Sequence, residues 1–255
     1  MGKLQIKITR DEDEIQEAQR LRFEVFNLEM KKGLKTSLQR GLDVDEYDPF
    51  CEHLIVRDSQ SKQVVGTYRL LLGSEARKQL GFYSEREFDL KKIRNLPGEL
   101  LELGRSCAHK DYRDKALIPA MWEAIADYVK RHRVRYLFGC ASLYTTDSRE
   151  VSECFSLLKQ KYYAPEKFRV RPVPEKLFRD LDENVEIGDP GNLFLRLPSL
   201  IKGYLRIGAL LCGPPALDNE FGTTDLFLLL DMKRMSSEYL DRFGLLGAKA
   251  RNAMA

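Results

Sequence analysis

The sequence predicts a mixed α/β (α+β) fold in which a β-sheet is covered by helices. Short apolar runs with strand character alternate with amphipathic helical segments through the middle of the chain, a pattern typical of helices packed on a sheet. The chain has 255 residues, 43% of them hydrophobic and 32% charged, which suffices for one large core. No repeat or low-complexity linker divides it. We therefore expect residues 1–180 to form the core, and residues 181–255 to form an extension that packs on it and adds a final strand.

The first hundred residues predict three strands, one long helix and an acidic loop. Alternating or continuous apolar runs place the strands at residues 4–8, 53–57 and 63–72, the last two joined by a hairpin turn. Apolar residues at helical spacing from Ile15 to Phe26 predict the helix. Residues 43–48 contain four acids in six positions, a density that favours a loop.

The remaining residues continue the alternation of strands and helices. We expect strands at residues 100–108, 136–141 and 225–231, helices at about 115–132, 147–160 and 236–243, and a weak strand at 168–170. Residues 200–212 are apolar but interrupted by glycines. They could cover the core or contact a membrane peripherally, and the first alternative is slightly favoured.

Charge and cysteine content exclude several classes of function. The net charge is only +3, so nothing indicates a nucleic-acid-binding protein. Five cysteines without a C-x-x-C pair suit reduced thiols in a cytoplasmic protein, and three scattered histidines predict no metal site. The N-terminus resembles a strand rather than a signal peptide, and no apolar run reaches transmembrane length. We expect a cytoplasmic protein, with the inner face of the membrane as an open alternative.

Two charged residues interrupt the apolar strand at 100–108. Buried carboxylates and guanidiniums require partners or a function. Glu102 is the candidate general base, and Arg105 the residue that organises its surroundings. A structural ion network between them and their neighbours is the competing interpretation.

Four short motifs carry a resemblance to a known family. They are Leu-Arg-Phe-Glu-Val-Phe at 21–26, Asp-Glu-Tyr-Asp at 45–48, Val-Gly-Thr-Tyr-Arg-Leu at 65–70 and Glu-Leu-Gly-Arg at 102–105. In this order they resemble the GNAT acyltransferase superfamily, in the branch shared by acyl-homoserine-lactone synthases and ornithine-lipid-type amino-acid N-acyltransferases. Residues 197–209 and 221–225 are similar to the ornithine-lipid enzymes, and the chain's single tryptophan is not in the first helix, where the signal synthases carry one.

The resemblance implies a twisted mixed sheet whose central strands splay apart to admit the donor. The implied donor is an acyl chain on the phosphopantetheine of acyl carrier protein, with no permanently bound cofactor. The segment 110–117 contains no glycine, which fits a single phosphate better than a diphosphate. Acyl carrier protein is acidic, so it is the expected partner of the basic residues Lys110, Arg113, Lys115, Arg131 and Arg133. A solvated helix end is the alternative for the last two.

The resemblance also assigns substrate-binding residues. Arg22, Phe26, Asp45, Asp48 and Arg69 would hold the amino-acid acceptor, unless the charged ones only pin the first helix and the acidic loop to the sheet. Backbone N–H groups around Cys107 and Ala108 would hold the oxyanion. The Cys107 thiol itself is expected to be buried and inert.

The predicted function is transfer of a long, 3-hydroxylated acyl chain from acyl carrier protein to the α-amine of an amino acid, with ornithine as the first candidate. Two alternatives remain open at this stage. One is an acyl-homoserine-lactone synthase that uses S-adenosylmethionine, and the other is a non-catalytic module that binds carrier protein.

Overall fold

A single mixed sheet dominates the structure, a computed structural model that describes residues 2–113 and 117–235. Within these residues the strands are β1 (Leu4–Thr9), β2 (Glu52–Asp58), β3 (Val64–Leu72), β4 (Glu99–Ala108), β5 (Val134–Leu143), β6 (Leu210–Leu211), β7 (Ala216–Asp218) and β8 (Thr223–Asp231). Their order is β1-β2-β3-β4-β5-β8-β6, and β7 also pairs with β8. Neighbouring strands are antiparallel except for the central pair β4–β5, which is parallel.

Helices cover the sheet. They are α1 (Glu12–Phe23), α2 (Ser37–Arg40), α3 (Gly73–Ala76), α4 (Lys91–Arg94), α5 (Leu117–His132), α6 (Ser148–Tyr162), α7 (Pro190–Arg196) and α8 (Ser199–Arg206), with a π-helical continuation of α1 at Glu24–Glu29. Aspartates cap α1 and α6: the side chains of Asp11 and Asp147 accept hydrogen bonds from the N–H groups of Glu14 and Glu150.

The core lies between the sheet and these helices. Strands β3 and β8 are buried along their whole length, as their continuous apolar runs predict. Met121 and Ile125 of α5 pack on one part of the sheet, Phe155 of α6 and Ile201 of α8 pack on another, and Leu21 of α1 packs near β3 and β4.

The two central strands separate halfway along their length. Register pairing of β4 with β5 runs from Glu99↔Val134 to Glu102↔Phe138 and goes no further in the part of the chain that the structure describes. Beyond that point β4 stays paired with β3, and β5 stays paired with β8. The separation follows the close contact at Gly139, where a Cβ would lie 2.3 Å from the carbonyl oxygen of Leu103. The splayed sheet that the resemblance implied is therefore present.

Most predicted elements are confirmed, one is wrong, and one is not tested. Residues 168–170 do not form a strand: Glu166–Phe168 is a 3-10 turn, and the Val170 N–H donates to the carbonyl of Cys212. The predicted helix at 236–243 lies outside the described residues. The C-terminal part of the chain contributes β8, which lies inside the sheet against β5. Among the helices described here, none has the length and hydropathy needed to cross a bilayer.

Candidate active site

A cavity of about 150 Å³ opens where β4 and β5 separate. Residues 102–106 of β4 line one side, and Cys140, Ser142 and Tyr144 of β5 and beyond line the other. The turn Tyr83–Arg86, the π-helical segment after α1, helix α8 and strand β8 complete the walls. The cavity brings together residues that are up to 199 positions apart, from Phe26 to Asp225, so it exists only in the folded protein.

Glu102 lies at the apex of this cleft. It is the last β4 residue paired with β5, its side chain is buried, and it lines the cavity. Its Oε1 accepts the Ser84 N–H at 2.7 Å and the Ser84 hydroxyl at 2.5 Å, and its Oε2 accepts the Tyr83 N–H at 2.8 Å. Burial raises the pKa of Glu102 above its ordinary value, although the bonds from Ser84 and Tyr83 oppose this effect. The carboxyl group is therefore positioned rigidly and made more basic.

Arg105 occupies a bulge in β4. The register with β3 shifts between Thr67↔Cys107 and Arg69↔Gly104, and Arg105 has a φ of 47°, which is unusual for a residue with a side chain. The bulge sends its guanidinium to Asp45 at 3.0 Å and to Asp43 at 3.3 Å. Arg105 thus ties β4 to the acidic loop.

The acidic loop and three arginines form one buried ion network. Arg22 is completely buried and binds Asp43 at 2.9 Å and Asp48 at 2.8 Å. Arg69 binds Asp45 at 2.5 Å and Asp48 at 3.1 Å. Burial alone would raise the pKa of Asp48, but Arg22 and Arg69 outweigh it and hold that pKa well below its ordinary value.

This network corrects part of the predicted acceptor site. Phe26 and Arg69 line the cavity, but Arg22, Asp45 and Asp48 are not among the described residues that do. Their charged groups are engaged within the ion network, Arg22 with Asp48 and Asp45 with Arg69 and Arg105, so they pin α1 and the acidic loop to the sheet. The acceptor cannot reach them without breaking these ion pairs.

The predicted placement of Cys107 and Ala108 also needs correction. Cys107 packs beneath α1 with Leu21 and Val25, and Ala108 packs with Met121 on the side of α5. The stretch of β4 at the cavity is Leu103–Ser106 instead. Burial raises the pKa of the Cys107 thiol to about 12, which agrees with the expectation that it is inert.

Comparison with known proteins agrees with this geometry. An acetyltransferase (GNAT) domain model matches residues 21–123. An L-ornithine N(alpha)-acyltransferase of Brucella abortus (strain 2308) is 37% identical over 96% of this chain and 90% of its own length. One from Rhodobacter capsulatus is 36% identical over 92% of each chain.

The chain belongs to the L-ornithine N(alpha)-acyltransferase family.

Structural similarity is consistent with this membership. A solved CoA-dependent acyl-homoserine lactone synthase covers 91% of this chain with a TM-score of 0.52 at 16% identity, over 81% of its own length. Such a likeness reports the fold alone. This acyltransferase therefore has the GNAT fold that its motifs indicated.

The basic residues predicted to bind the carrier do not form one surface in this acyltransferase. Arg113 is bound to Glu29 at 2.5 and 2.7 Å and to the carbonyl of Ala108, whereas Lys110 is exposed. Lys115 lies outside the described residues. Arg131 lies in the last turn of α5 and Arg133 follows that helix, which at 1.5 Å per residue spans roughly 24 Å. They lie at the end of β5 opposite the cavity, which favours the solvated helix end for them, and their contact with acyl carrier protein stays a prediction.

The segment 200–212 covers the core. Ile201, Leu205, Ile207 and Leu211 are buried in the protein, and Leu200 and Tyr204 face the cavity. Its apolar side chains thus pack inside the protein, which favours a segment that covers the core over one that contacts a membrane.

Two features of the cleft were not predicted from the sequence. One is an apolar pocket that shares Leu103, Cys140 and Tyr204 with the cavity and continues between Trp122, Leu137, Ala209, Leu228 and Leu230. The other is a group of buried carboxyls, Glu87, Asp218 and Asp225, on the wall of the cavity. Only Asp225 stood in a quoted motif, and no local pattern links it to the other two.

Proposed function

We propose that this acyltransferase moves a long, 3-hydroxylated acyl chain from the phosphopantetheine of acyl carrier protein to the α-amine of ornithine in the cytoplasm. The observation that carries the proposal is the fork between β4 and β5. There a buried carboxyl, Glu102, lines a cavity that carries several charged side chains and that adjoins an apolar pocket through Leu103, Cys140 and Tyr204. The cavity suits an amino acid, and the pocket suits a hydrocarbon chain.

Glu102 is the proposed general base. An α-ammonium cannot attack a thioester until it loses a proton. A carboxylate offers about four acceptor positions, of which the bonds from Tyr83 and Ser84 occupy three, so one position on Oε2 is open to that proton. Its raised pKa makes it a better base near neutral pH than an ordinary glutamate.

The remaining steps require no covalent enzyme intermediate. The free amine attacks the thioester carbon, and the carbonyl oxygen becomes an oxyanion. The β4 bulge at Arg105 interrupts the ladder with β3 beside the cavity, which supports backbone N–H groups near Ser106 as its donors. When the C–S bond breaks, the amine's second proton neutralises the thiolate, giving an amide, a carrier thiol and one released proton.

The donor enters from the end of β4. The exposed Lys110 and the start of α5 support binding of one phosphate, since a helix N-terminus attracts anions. No permanently bound cofactor is included in the proposal.

The decisive experiment supplies purified protein with 3-hydroxyacyl carrier protein and ornithine. We expect release of carrier thiol and formation of N-acyl-ornithine by mass spectrometry. Consumption of S-adenosylmethionine instead would identify a signal synthase, and carrier binding without thiol release to any amine would identify a non-catalytic module.

Glu102→Gln tests the assignment of the base. We expect kcat to fall by roughly 10²–10⁴, the usual contribution of general base catalysis. The exposed Glu123 of α5 provides the control, because Glu123→Gln changes the same functional group away from the cavity. A Glu102→Gln enzyme that folds normally and keeps wild-type kcat would eliminate Glu102 as the base.

A further inference from the structure

The wall of the cavity opposite β4 holds three buried carboxyls. Glu87 follows the turn Tyr83–Arg86, Asp218 ends β7 and Asp225 belongs to β8. One oxygen of each lies within 4.8 Å of the other two, and the residues are only 3%, 4% and 6% exposed. All three line the cavity that Glu102 also lines.

The cluster has too few cationic partners for its charge. Lys176 binds Asp218 at 3.1 Å, and the Thr223 hydroxyl lies 3.4 Å from Asp225. Glu87 is buried, and its carboxyl group lies in hydrogen-bonding contact with Asp225 and Cys140, but its Oε2 has no hydrogen-bond partner among the described residues. Burial and the adjacent Asp225 raise the pKa of Glu87 well above its ordinary value. Three clustered buried carboxyls with one lysine between them are costly to bury, so their presence on the wall of a cavity points to a cationic ligand.

The turn Tyr83–Arg86 couples this cluster to the reacting end of the cleft. Ser84 donates two hydrogen bonds to Glu102, and the Glu87 N–H donates to the carbonyl of Ser84. One turn therefore positions both acids, Glu102 at the fork and Glu87 towards β8. An acceptor whose α-amine lies at Glu102 would extend its side chain towards the cluster.

We infer that Glu87, Asp218 and Asp225 bind the side-chain ammonium of the acceptor and make the enzyme selective for diamino acids. The inference rests on the proposed function, since it assumes that an amino acid occupies the cavity. An ammonium fits because Lys176 already places one against Asp218. The bound ammonium also offsets the charge of a deprotonated Glu87.

The first test compares ornithine with norvaline, which has the same carbon chain without the terminal amine, and with glycine. A hydrogen bond to a charged group contributes about 1.5–3 kcal/mol, so wild-type enzyme should favour ornithine over norvaline in kcat/KM by roughly 10- to 150-fold. Equal use of norvaline or glycine would overturn the inference while leaving amino-acid acylation intact. Acylation of none of the three would refute the proposed function itself.

The second test assigns the preference to the cluster. We expect Asp225→Asn to lower the ornithine-to-norvaline ratio of kcat/KM at least tenfold, chiefly through the KM of ornithine. Asp231→Asn is the matched control, because Asp231 lies on the same strand but is paired with Arg135. It should keep the wild-type ratio. An Asp225→Asn enzyme with an unchanged ratio would contradict the assignment.

Two further arms keep the test decisive. Should Asp225→Asn fail to fold, Glu87→Gln takes its place with the same expectation. Ornithine preference is also measured with EDTA and with added Mg²⁺. A preference that disappears with EDTA and returns with Mg²⁺ would make the cluster a metal site and overturn the inference.

Discussion

Removing Arg22 is the sharpest test of the ion network beneath the cavity. Arg22 is completely buried. Its guanidinium contacts the carboxylates of Asp43 and Asp48 and the backbone carbonyl of Asp43. Arg22→Met keeps much of the apolar stem but leaves two buried carboxylates short of a partner. Breaking a buried ion pair in this way costs about 3–5 kcal/mol.

The structure favours the lower end of that range. After the substitution Asp48 still has Arg69, and Asp43 still has Arg105, so neither carboxylate is left alone. We therefore expect a loss of about 3 kcal/mol, against a typical total stability of 5–15 kcal/mol. Urea unfolding at neutral pH measures this loss directly.

Arg57→Met serves as the control, because Arg57 pairs with the partly exposed Glu17 near the surface and its loss should cost less than about 1 kcal/mol. The difference between wild type and Arg22→Met should shrink in acid. Asp48 has a lowered pKa, so its contribution is present above its ordinary pKa of 3.8 and is lost as the pH falls through the folded-state value. A loss below 1 kcal/mol combined with a raised KM for the amino acid would refute the structural interpretation and restore acceptor binding to Arg22.

Three further predictions concern the cleft and its entrance. Glu87 has a raised pKa, so its contribution to stability is present below its ordinary pKa of 4.5 and is lost as the pH rises through the folded-state pKa. Between about pH 5 and pH 8 the urea midpoint of the wild type should therefore fall more than that of Glu87→Gln. Parallel curves of midpoint against pH would contradict this prediction. Lys110→Glu should raise the KM for acyl carrier protein about two- to fivefold at low salt, whereas Arg131→Glu at the far end of α5 should raise it less. A larger effect of Arg131→Glu would place the docking surface at that end of α5. Ala209→Leu should narrow the apolar pocket and lower kcat/KM for the longest acyl chains about tenfold, since each methylene in such a pocket contributes ~1–3 kcal/mol to transition-state binding. An unchanged preference for acyl-chain length would place the acyl chain outside this pocket.

Much of the fold could be predicted because its elements have local patterns. The continuous apolar runs of β3 and β8 and the helical spacing in α5 are visible in any short window of sequence. The role of Arg105 was also accessible, since a guanidinium within an apolar strand requires carboxylates and the acidic loop supplies them. The weak strand predicted at 168–170 failed because tertiary contacts, here with Cys212, satisfy that backbone without a strand.

The sequence by itself determined the family, the order of strands and helices, and the presence of Glu102 in a buried strand. Only the tertiary structure decided which charged side chains are held in ion pairs and which line the cavity. Arg22, Asp45 and Asp48 resembled binding residues until the fold placed them in one ion network. Glu87 gave no local indication, and the fold placed it on the cavity wall beside two other buried carboxyls. The physical reason is that a charge's role depends on its desolvation and on its neighbours in space. Residues such as Glu87 and Asp225 become neighbours only when the sheet is assembled.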